Sequence, residues 1–386
     1  MGYGFQVLNL KKFKTCFFRI SVMRKILYFL CSLLLGMRLF FPVVEIQAQT
    51  KNSDEDNRLR VVIMSDFPPV DVIPGGMGFG PSEKRSDSDD VQSMIRFLLY
   101  SNEFDVEALI ATSGTFANVA DKQNILDILY LYDYVDENLR KHDIRYPDAR
   151  YLRDVTWQGA SGTWGCEAAD ITGEGHDSEA SEKIIALLKQ QDVRPVWFCV
   201  WGGSCDLAQA LWKISEKEEE KEAKRLLDKV RIYLIGTPDG KTQDGTGLWM
   251  LEHFPDVFII HSARNYMGMF YNCQGADTSL SDLHWVNRNI RKGHGLLGAV
   301  YPESGFYPEF PGVWEGDSPS FLYLVSAVLG ISDSEKPWLP SWGGMFVRSD
   351  DSGKHWKDSP LGVETVYRWR KQVQEDFARR ADWMCP

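Results

Sequence analysis

The sequence predicts an α/β fold in which a mostly parallel β-sheet is flanked by helices on both faces. Short β-branched or aromatic runs alternate with longer helical patterns between residues 58 and 262, and this alternation is typical of βαβ units. Runs such as "RVVIM" and "PVWFCV" are continuously apolar, as expected for strands that are covered on both sides. With 386 residues, 44% of them hydrophobic, the chain is long enough to bury a large core.

The predicted elements follow one another in chain order. The first strand, "RLRVVIMSD", ends at Asp66 and is followed by a Pro/Gly-rich insert, "FPPVDVIPGGMGFGPSEKR", that is expected to be a loop. The next elements are a helix over 90–102, a strand over 104–113, helices over 118–142 and 178–190, a strand over 194–201, a helix over 205–230, a strand over 231–236, a short helix over 247–254 and a strand over 256–262.

The later part of the chain has a different character. Residues 262–345 are rich in loops with aromatic, Gly and Pro clusters, and contain one predicted helix over 319–329. A last helix is predicted over 362–383. Parallel sheets place ligands at the carboxyl ends of their strands, so Asp66 and the turn Trp201–Gly203 are expected to share one crevice.

The amino-terminal residues have the pattern of a secretory signal peptide. A basic start at Met23, an apolar run from Ile26 and a small residue at Ala48 form this pattern. A single membrane anchor is the alternative, against which Arg38 and the short apolar run argue. We interpret 1–48 as a signal peptide with an upstream extension and 49–386 as a single domain. The mature protein is therefore expected to be secreted or periplasmic, without a stable membrane span.

Charge and cysteine content exclude some functions. The net charge is −11, which argues against a nucleic-acid partner because such proteins present a basic face to phosphates. The cysteines that follow the predicted cleavage site show no metal-like spacing, and their odd number leaves at least one free thiol; they are Cys166, Cys199, Cys205, Cys273 and Cys385.

Acidic residues lie where strands end or helices begin. They are Asp66, the pair Asp89–Asp90 and Asp317. An Asp at a helix start is often only a cap, but three acids within 87–90 exceed what one cap requires. Carboxylates about 4 Å apart repel by about 4 kcal/mol at an effective dielectric near 20. The alternative to capping is therefore a site for a hard cation such as Ca²⁺, which takes six to eight oxygen ligands.

Three segments, two of which carry these acids, resemble the motifs of nucleoside hydrolases: "IMSD…SDSDDVQSMIRFLLYSNEFDVEALIATSG", "VWGGSCDLAQAL" and "EGDSPSFLY". Over about 58–385 the chain more closely resembles a bacterial secreted family of cellulose-binding proteins with a nucleoside-hydrolase-like domain. The resemblance implies that Asp66, Asp90, Asp317 and the Trp201 carbonyl bind Ca²⁺. It also implies that Asp89 is the base that activates water for attack on an anomeric carbon.

The sequence departs from the nucleoside-hydrolase pattern at three points. The insert adds about twenty residues between Asp66 and the acidic pair, so Asp71 or Asp87 are alternatives for the roles of Asp66 or Asp89. Gly316 stands where the family often has a histidine that assists the leaving base. The segment "GTPDGKTQDGTG" replaces an Asn-rich ribose-binding segment, with Asp239 as a candidate ligand contact and a solvent loop as the alternative.

The remaining candidates for substrate binding lie in Gly/Pro loops of the later part. Trp314, Trp338 and Trp342 are candidates for stacking on sugar rings, although tryptophan more often fills a core. Glu315 is a candidate acid for a leaving group, with an exposed loop glutamate as the alternative.

Two functions from different classes remain open. One is an exported, calcium-dependent hydrolase of an N-glycosyl or glycosidic bond, acting on a carbohydrate or nucleoside-like molecule. The other is a non-catalytic carbohydrate-binding protein on the same fold, with cellulose or a related polysaccharide as its ligand. A scaffold without any ligand is a third and weaker interpretation.

Overall fold

The structure is a computed structural model that describes residues 58–72, 88–114, 118–236, 243–305, 308–349 and 353–386. These residues all lie within one compact unit, Glu55–Pro386. The predicted signal peptide, Asp87 and Asp239 lie outside the described residues. Within the described ranges, no helix combines the length and apolar character needed to cross a membrane.

The described strands form a single eight-stranded sheet in the order β3-β2-β1-β4-β5-β6-β8-β7. All neighbouring strands are parallel except the β7–β8 pair at one edge, which is antiparallel. The predicted α/β class with a mostly parallel sheet is therefore confirmed. The strands are β1 (Leu59–Ser65), β2 (Phe104–Ala111), β3 (Thr156–Gln158), β4 (Val196–Val200), β5 (Val230–Ile235), β6 (Phe258–Ser262), β7 (Phe346–Arg348) and β8 (His355–Asp358).

Helices connect the strands and cover both faces of the sheet. They are α1 (Asp89–Tyr100), α2 (Lys122–Tyr132), α3 (Asp136–His142), α4 (Ala149–Asp154), α5 (Ala168–Ile171), α6 (Glu179–Lys189), α7 (Cys205–Lys217), α8 (Glu220–Leu227), α9 (Thr246–His253), α10 (Leu283–Val286), α11 (Gly295–Ala299), α12 (Ser318–Val328), α13 (Glu364–Tyr367) and α14 (Arg370–Asp382). Short 3₁₀ turns cover Ser101–Glu103, Asn265–Met269 and Thr278–Leu280, and a π-helical turn covers Asn287–Arg291.

Side chains of β1 alternate between the two faces of the sheet. Val61 and Ile63 belong to the core cluster that includes residues of α1, α2, α12 and α14. Val62 and Met64 belong to the second cluster, with residues of α6, α7 and α8. Because successive side chains of a strand point to opposite faces, a strand buried on both faces must be apolar throughout. This requirement explains the uninterrupted "VVIM" run.

Three segments that were predicted as single helices are each divided in two. The segment 118–142 contains α2 and α3, 205–230 contains α7 and α8, and 362–383 contains α13 and α14. Both α3 and α8 begin with acids in their first turn, where negative charge is favoured by the helix dipole. Between α7 and α8, the backbone of Glu218 and Glu219 is extended. In one continuous helix, glutamates four residues apart would repel each other along one face, and this break reduces the number of such pairs.

The strand order reverses beside β1, and this reversal fixes the position of the crevice. From β1 the chain builds β2 and β3 on one side, then returns to place β4, β5 and β6 on the other. The carboxyl ends of β1 and β4 therefore diverge into different connections, which is where open α/β sheets bind ligands. The Trp201 amide donates to the Met64 carbonyl at 2.8 Å, so the turn after β4 lies directly beside the end of β1.

Candidate metal centre

Three of the predicted acids converge at this crevice. Asp89 and Asp90 form the first turn of α1, and Asp317 immediately precedes α12. Each offers a carboxylate oxygen, and these oxygens all lie within 4.8 Å of one another. All three residues are at most 5% exposed. The structure thus brings together acids that are separated by more than two hundred residues in the chain.

Asp66 lies next to this cluster, directly after β1. Its side chain packs so closely against Gly114 that a Cβ atom at that glycine would lie 1.7 Å from Asp66 Oδ2. A Cβ atom at Gly202 would lie 2.7 Å from Asp66 Oδ1. The carboxylate is therefore enclosed between the loops that follow β2 and β4, and only residues without a side chain fit beside it.

The electrostatics of the cluster disfavour full ionisation. The pKa of Asp90 is raised well above its ordinary value, first by burial and then by the charges of Asp66 and Asp89. A hydrogen bond from the Ser65 hydroxyl opposes this shift. Two carboxylates 4.8 Å apart repel by about 3.5 kcal/mol at an effective dielectric near 20. A bound proton or a bound cation relieves this repulsion.

Helix capping does not account for these acids. The residue at the N-cap of α1 is Ser88, and its hydroxyl donates to the carbonyl oxygens of Ser304 and Gly305 at 2.8 and 2.9 Å. Asp317 occupies the N-cap position of α12, but its side chain makes no capping hydrogen bond. Carboxylate oxygens are ligands that hard divalent cations, calcium among them, prefer. The residues present therefore fit a hard divalent cation, calcium included.

The Trp201 carbonyl, a predicted ligand, already accepts one hydrogen bond. Gln243 Nε2 donates to it at 3.2 Å, and a carbonyl oxygen has a second lone pair for a further partner. The indole Nε1 of Trp201 donates to Ser320 Oγ at 2.8 Å, and Ser320 Oγ donates to the Asp317 carbonyl at 2.7 Å. Trp201 is thus fixed to the start of α12, which carries Asp317.

Glu315 is fully buried and forms an ion pair with Arg96, which is also fully buried. Its carboxylate also accepts hydrogen bonds from Tyr301 Oη at 2.5 Å and Ser318 Oγ at 2.7 Å. Both expectations for Glu315, a leaving-group acid and an exposed loop glutamate, conflict with this environment. Arg96 lies two turns after Asp89 on α1, and Glu315 lies two residues before Asp317. The pair therefore joins the two segments that carry the acid cluster.

The tryptophans expected to stack on sugars are mostly buried. Trp314 and Trp342 are each 4% exposed, so neither presents a ring face to a ligand in this structure. The indole Nε1 of Trp314 donates to the Phe310 carbonyl at 2.8 Å, and its ring lies 4.9 Å from that of Phe270. Trp338 is 49% exposed, but it packs on Trp356 with ring centroids 5.3 Å apart.

Two aromatic residues that were not predicted face the acid cluster instead. A Cβ atom at Gly316 would lie 2.9 Å from Asp89 Oδ2, 3.3 Å from Tyr266 Cδ2 and 3.4 Å from Phe270 Cε1. The Gly316 amide donates to Asp89 Oδ2 at 3.2 Å. Tyr266 and Phe270 are half-buried, and they are brought here by the 3₁₀ turn after β6. Nothing in the spacing of Tyr266 and Phe270 along the sequence predicts that they lie beside Asp89.

A second pair of buried acids, Asp206 and Asp244, lies behind the turn after β4. Asp206, in the first turn of α7, accepts hydrogen bonds from the Ala160 amide at 3.0 Å and Ser178 Oγ at 2.5 Å. Burial raises the pKa of Asp206 to about 6. Asp244 accepts from the Thr246 amide at 3.0 Å, and burial raises its pKa as well. These acids fasten the surrounding loops to the start of α7.

Comparison with protein families agrees with this architecture. A family model described as cellulose-binding Sde182, nucleoside hydrolase-like domain, matches residues 82–346, which is more than half of the chain. The chain belongs to this family. The match to the nucleoside hydrolase-like domain includes Asp89, Asp90, Trp201 and Asp317, and begins after Asp66.

Solved structures that resemble this nucleoside hydrolase-like domain include one from Saccharophagus degradans. It is described as a nucleoside hydrolase-related hypothetical protein that is associated with carbohydrate metabolism, is 29% identical over 85% of this chain and 72% of that chain, and has a TM-score of 0.66. Two others are the type III effector XopQ with adenosine diphosphate ribose and the effector XOO4466. Both are 11% identical with TM-scores of 0.41, over 85% of this chain and 95% and 94% of theirs. A comparison with curated proteins gave no match.

The alternative first ligand differs from Asp66 in its surroundings. Asp71 is exposed, whereas Asp66 is only 4% exposed and raises the pKa of Asp90 through its charge. The geometry therefore favours Asp66 over Asp71 as a member of the acid cluster in this nucleoside hydrolase-like domain.

Proposed function

We propose that this protein is an exported, calcium-dependent hydrolase of a glycosyl bond, either glycosidic or N-glycosyl. The observation that carries the proposal is the convergence of Asp89, Asp90 and Asp317, with Asp66 beside them. Membership of a family described as cellulose-binding favours a carbohydrate as the substrate. Export is proposed from the signal-peptide pattern of residues 23–48.

Four groups would hold the metal: the carboxylates of Asp66, Asp90 and Asp317, and the carbonyl of Trp201. When bound, calcium would supply positive charge that acidifies water and orients sugar hydroxyls. Asp89 takes the proton of the attacking water, since its carboxylate lies in the cluster and is oriented by the Gly316 amide. The water attacks the anomeric carbon, and the bond to the leaving group breaks.

Tyr266 and Phe270 shape the side of the site next to Gly316. Aromatic rings stack on the apolar faces of flat or ring-shaped groups, so these two side chains would contact the leaving group. Because Gly316 has no side chain, Asp89 and both rings can lie close to its backbone. The space that a histidine would need is already occupied by the two rings and by Asp89.

A screen for activity tests the proposal. Nucleosides, aryl glycosides and plant-glycan oligosaccharides are incubated with the protein in calcium or in chelator. We expect calcium-dependent release of a reducing sugar from at least one substrate. The absence of calcium-dependent turnover on all of them would contradict catalysis.

Calcium is expected to stabilise the fold. At a concentration one hundred times its dissociation constant, a ligand of the native state contributes about 2.7 kcal/mol, which corresponds to about 4 °C in Tm for a domain of this size. Asp317→Asn is expected to abolish most of the shift. Differential scanning calorimetry with calcium, magnesium and chelator measures it. An equal shift for Asp317→Asn and the unmodified protein would contradict the site.

The calcium effect should increase with pH. Because the folded-state pKa of Asp90 is raised, this group favours the folded apoprotein at low pH and loses that contribution as the pH rises through the folded pKa. Calcium competes with the proton, so the increase in Tm is expected to be larger at pH 8 than at pH 5. A calcium shift that does not change between these pH values would contradict competition at Asp90.

The fit around Gly316 gives a further prediction. Gly316→Ala places a methyl group 2.9 Å from Asp89 Oδ2, so the carboxylate must move, while the fold loses little because the displaced atom ends a side chain. We expect kcat to fall about tenfold or more, since misplacement by about 1 Å is costly in catalysis. The Tm is expected to change little. A kcat equal to that of the unmodified protein would show that Asp89 does not need this position.

A non-catalytic carbohydrate-binding protein is the second candidate. Gly316 and the aromatic rings favour it, because a glycine stands where the family often has a histidine and the atoms nearest to a Cβ built there belong to Asp89, Tyr266 and Phe270. Binding to insoluble cellulose that persists in Asp89→Asn, with no product released by the unmodified protein, would favour this function over hydrolysis.

A further inference from the structure

A cavity of about 360 Å³ lies at the same edge of the sheet as the acid cluster. It is formed at the carboxyl ends of β6 and β8, which pair in parallel with His261 opposite Lys357. Its volume falls within the range of about 300–1,000 Å³ that is usual for small-molecule sites. Three strand spacings separate β1 from β6, so the cavity is roughly 14 Å or more from the acid cluster along this edge.

Asn265 and Asp358 line the cavity. Asp358 Oδ2 accepts hydrogen bonds from the Arg264 amide at 2.6 Å and the Asn265 amide at 3.0 Å. Asn265 is fully buried, and its Nδ2 donates to the Met345 carbonyl at 3.2 Å. Its Oδ1 is buried and accepts no hydrogen bond within the described part of the chain. Because Asn265 lines the cavity, a small rotation of its amide would present this oxygen to a hydroxyl bound there.

His261 adds a second acceptor. Its Nε2 lies 2.6 Å from the Gly236 carbonyl, and because a carbonyl can only accept, Nε2 carries the proton. Burial lowers the pKa of His261, which favours the neutral ring. Nδ1 then has a lone pair available to a donor.

The rim of the cavity supplies donors and aliphatic surface. Arg264 and Lys357 have exposed side chains that form no ion pair with any described residue. Ala263 and Gly362 line the same cavity and present carbon surface. The cavity thus offers acceptors for sugar hydroxyl groups, cationic donors at its rim and some apolar carbon surface. This combination suits a pyranose ring, whose edges carry hydroxyl groups and whose face is apolar.

We propose that this cavity is a second saccharide subsite, which holds one sugar unit of the glycan chain that also reaches the acid cluster. The proposal rests on the carbohydrate function proposed above and narrows the substrate to an oligosaccharide or polysaccharide. A nucleoside at the acid cluster has no further unit to place in the cavity. Occupation of both sites by one chain increases affinity through the high effective concentration of the second unit.

Oligosaccharides of different length test the subsite. Isothermal titration calorimetry is performed with cellobiose and cellohexaose, and with oligogalacturonides of two and six units, because the cationic rim also suits an acidic ring. The unmodified protein is compared with Arg264→Met/Lys357→Met. The control is Arg150→Met/Lys354→Met, which removes the same charges from exposed residues that do not line the cavity.

We expect the six-unit chain to bind at least about tenfold more tightly than the two-unit chain in one of the two series. This gain should disappear in the cavity variant and persist in the control. A gain that persists in the cavity variant would overturn the subsite alone. Failure of the unmodified protein to bind any of the four oligosaccharides would overturn both the subsite and the carbohydrate function.

Discussion

Replacement of Asp89 by asparagine is expected to lower kcat by about 10²- to 10⁴-fold, the usual contribution of a general base. The carboxylate of Asp89 lies within 4.8 Å of those of Asp90 and Asp317 and is oriented by the Gly316 amide. Asparagine keeps the shape and an oxygen that can accept this hydrogen bond, but it cannot take a proton from water. Steady-state kinetics on the glycosyl substrate found in the screen measures the loss.

Asp71→Asn provides the matched control for this variant. It makes the same chemical change at an exposed aspartate close in sequence to the first predicted ligand, Asp66. We expect kcat to remain within about twofold of the unmodified protein, as for a surface substitution. If kcat fell by a similar factor in Asp71→Asn and Asp89→Asn, the assignment of Asp89 as the base would be contradicted. If kcat fell strongly in Asp71→Asn alone, Asp71 rather than Asp89 would be required for catalysis.

Glu315→Gln is expected to lower the free energy of unfolding by about 3–5 kcal/mol, the cost of leaving one charge of a buried pair without its partner. Arg96 and Glu315 have fully buried side chains, and Arg96 also donates to Gln374 Oε1 at 2.7 Å. Glutamine keeps the size of the side chain but leaves the guanidinium without a counter-ion. Urea denaturation followed by circular dichroism gives the change.

A surface ion pair provides the control for the buried one. Glu303→Gln removes the partner of Arg291, and the two side chains are 54% and 24% exposed. Exposed pairs contribute about 0–1 kcal/mol, so this variant should unfold almost as the unmodified protein does. If Glu315→Gln also lost less than about 1 kcal/mol, the idea that this pair holds the acid cluster together would be wrong.

The sheet was predictable because its strands obey a local rule. Strands buried on both faces must be apolar throughout, so "VVIM" in β1 and "VWFCV" in β4 are recognisable without knowledge of their neighbours. Strands β3 and β7 have three residues each and β8 has four. These strands are too short to show an apolar pattern that can be recognised in the sequence. The helix breaks before α3 and α8 were missed because charge, rather than apolar spacing, marks them.

The acids of the candidate site were predictable from their positions at strand ends and helix starts. Parallel topology brings the carboxyl ends of β1 and β4 to one edge, which places Asp66 beside the Trp201 turn, whereas Asp317 directly follows no described strand and its position depends on the path of the chain before α12. The aromatic wall was not predictable, because Tyr266 and Phe270 reach Asp89 only through the path of the chain after β6. Trp314 and Trp342 were misjudged because their Gly/Pro surroundings indicated exposed loops, whereas tertiary packing buries both rings.

A crystal structure of the protein grown with calcium tests the central claim most directly. We predict a single ordered ion in contact with carboxylate oxygens of Asp66, Asp90 and Asp317 at about 2.3–2.6 Å, identified by its anomalous signal. Saturating calcium that leaves no ion at these carboxylates, or an ion bound elsewhere on the protein, would contradict the proposed centre.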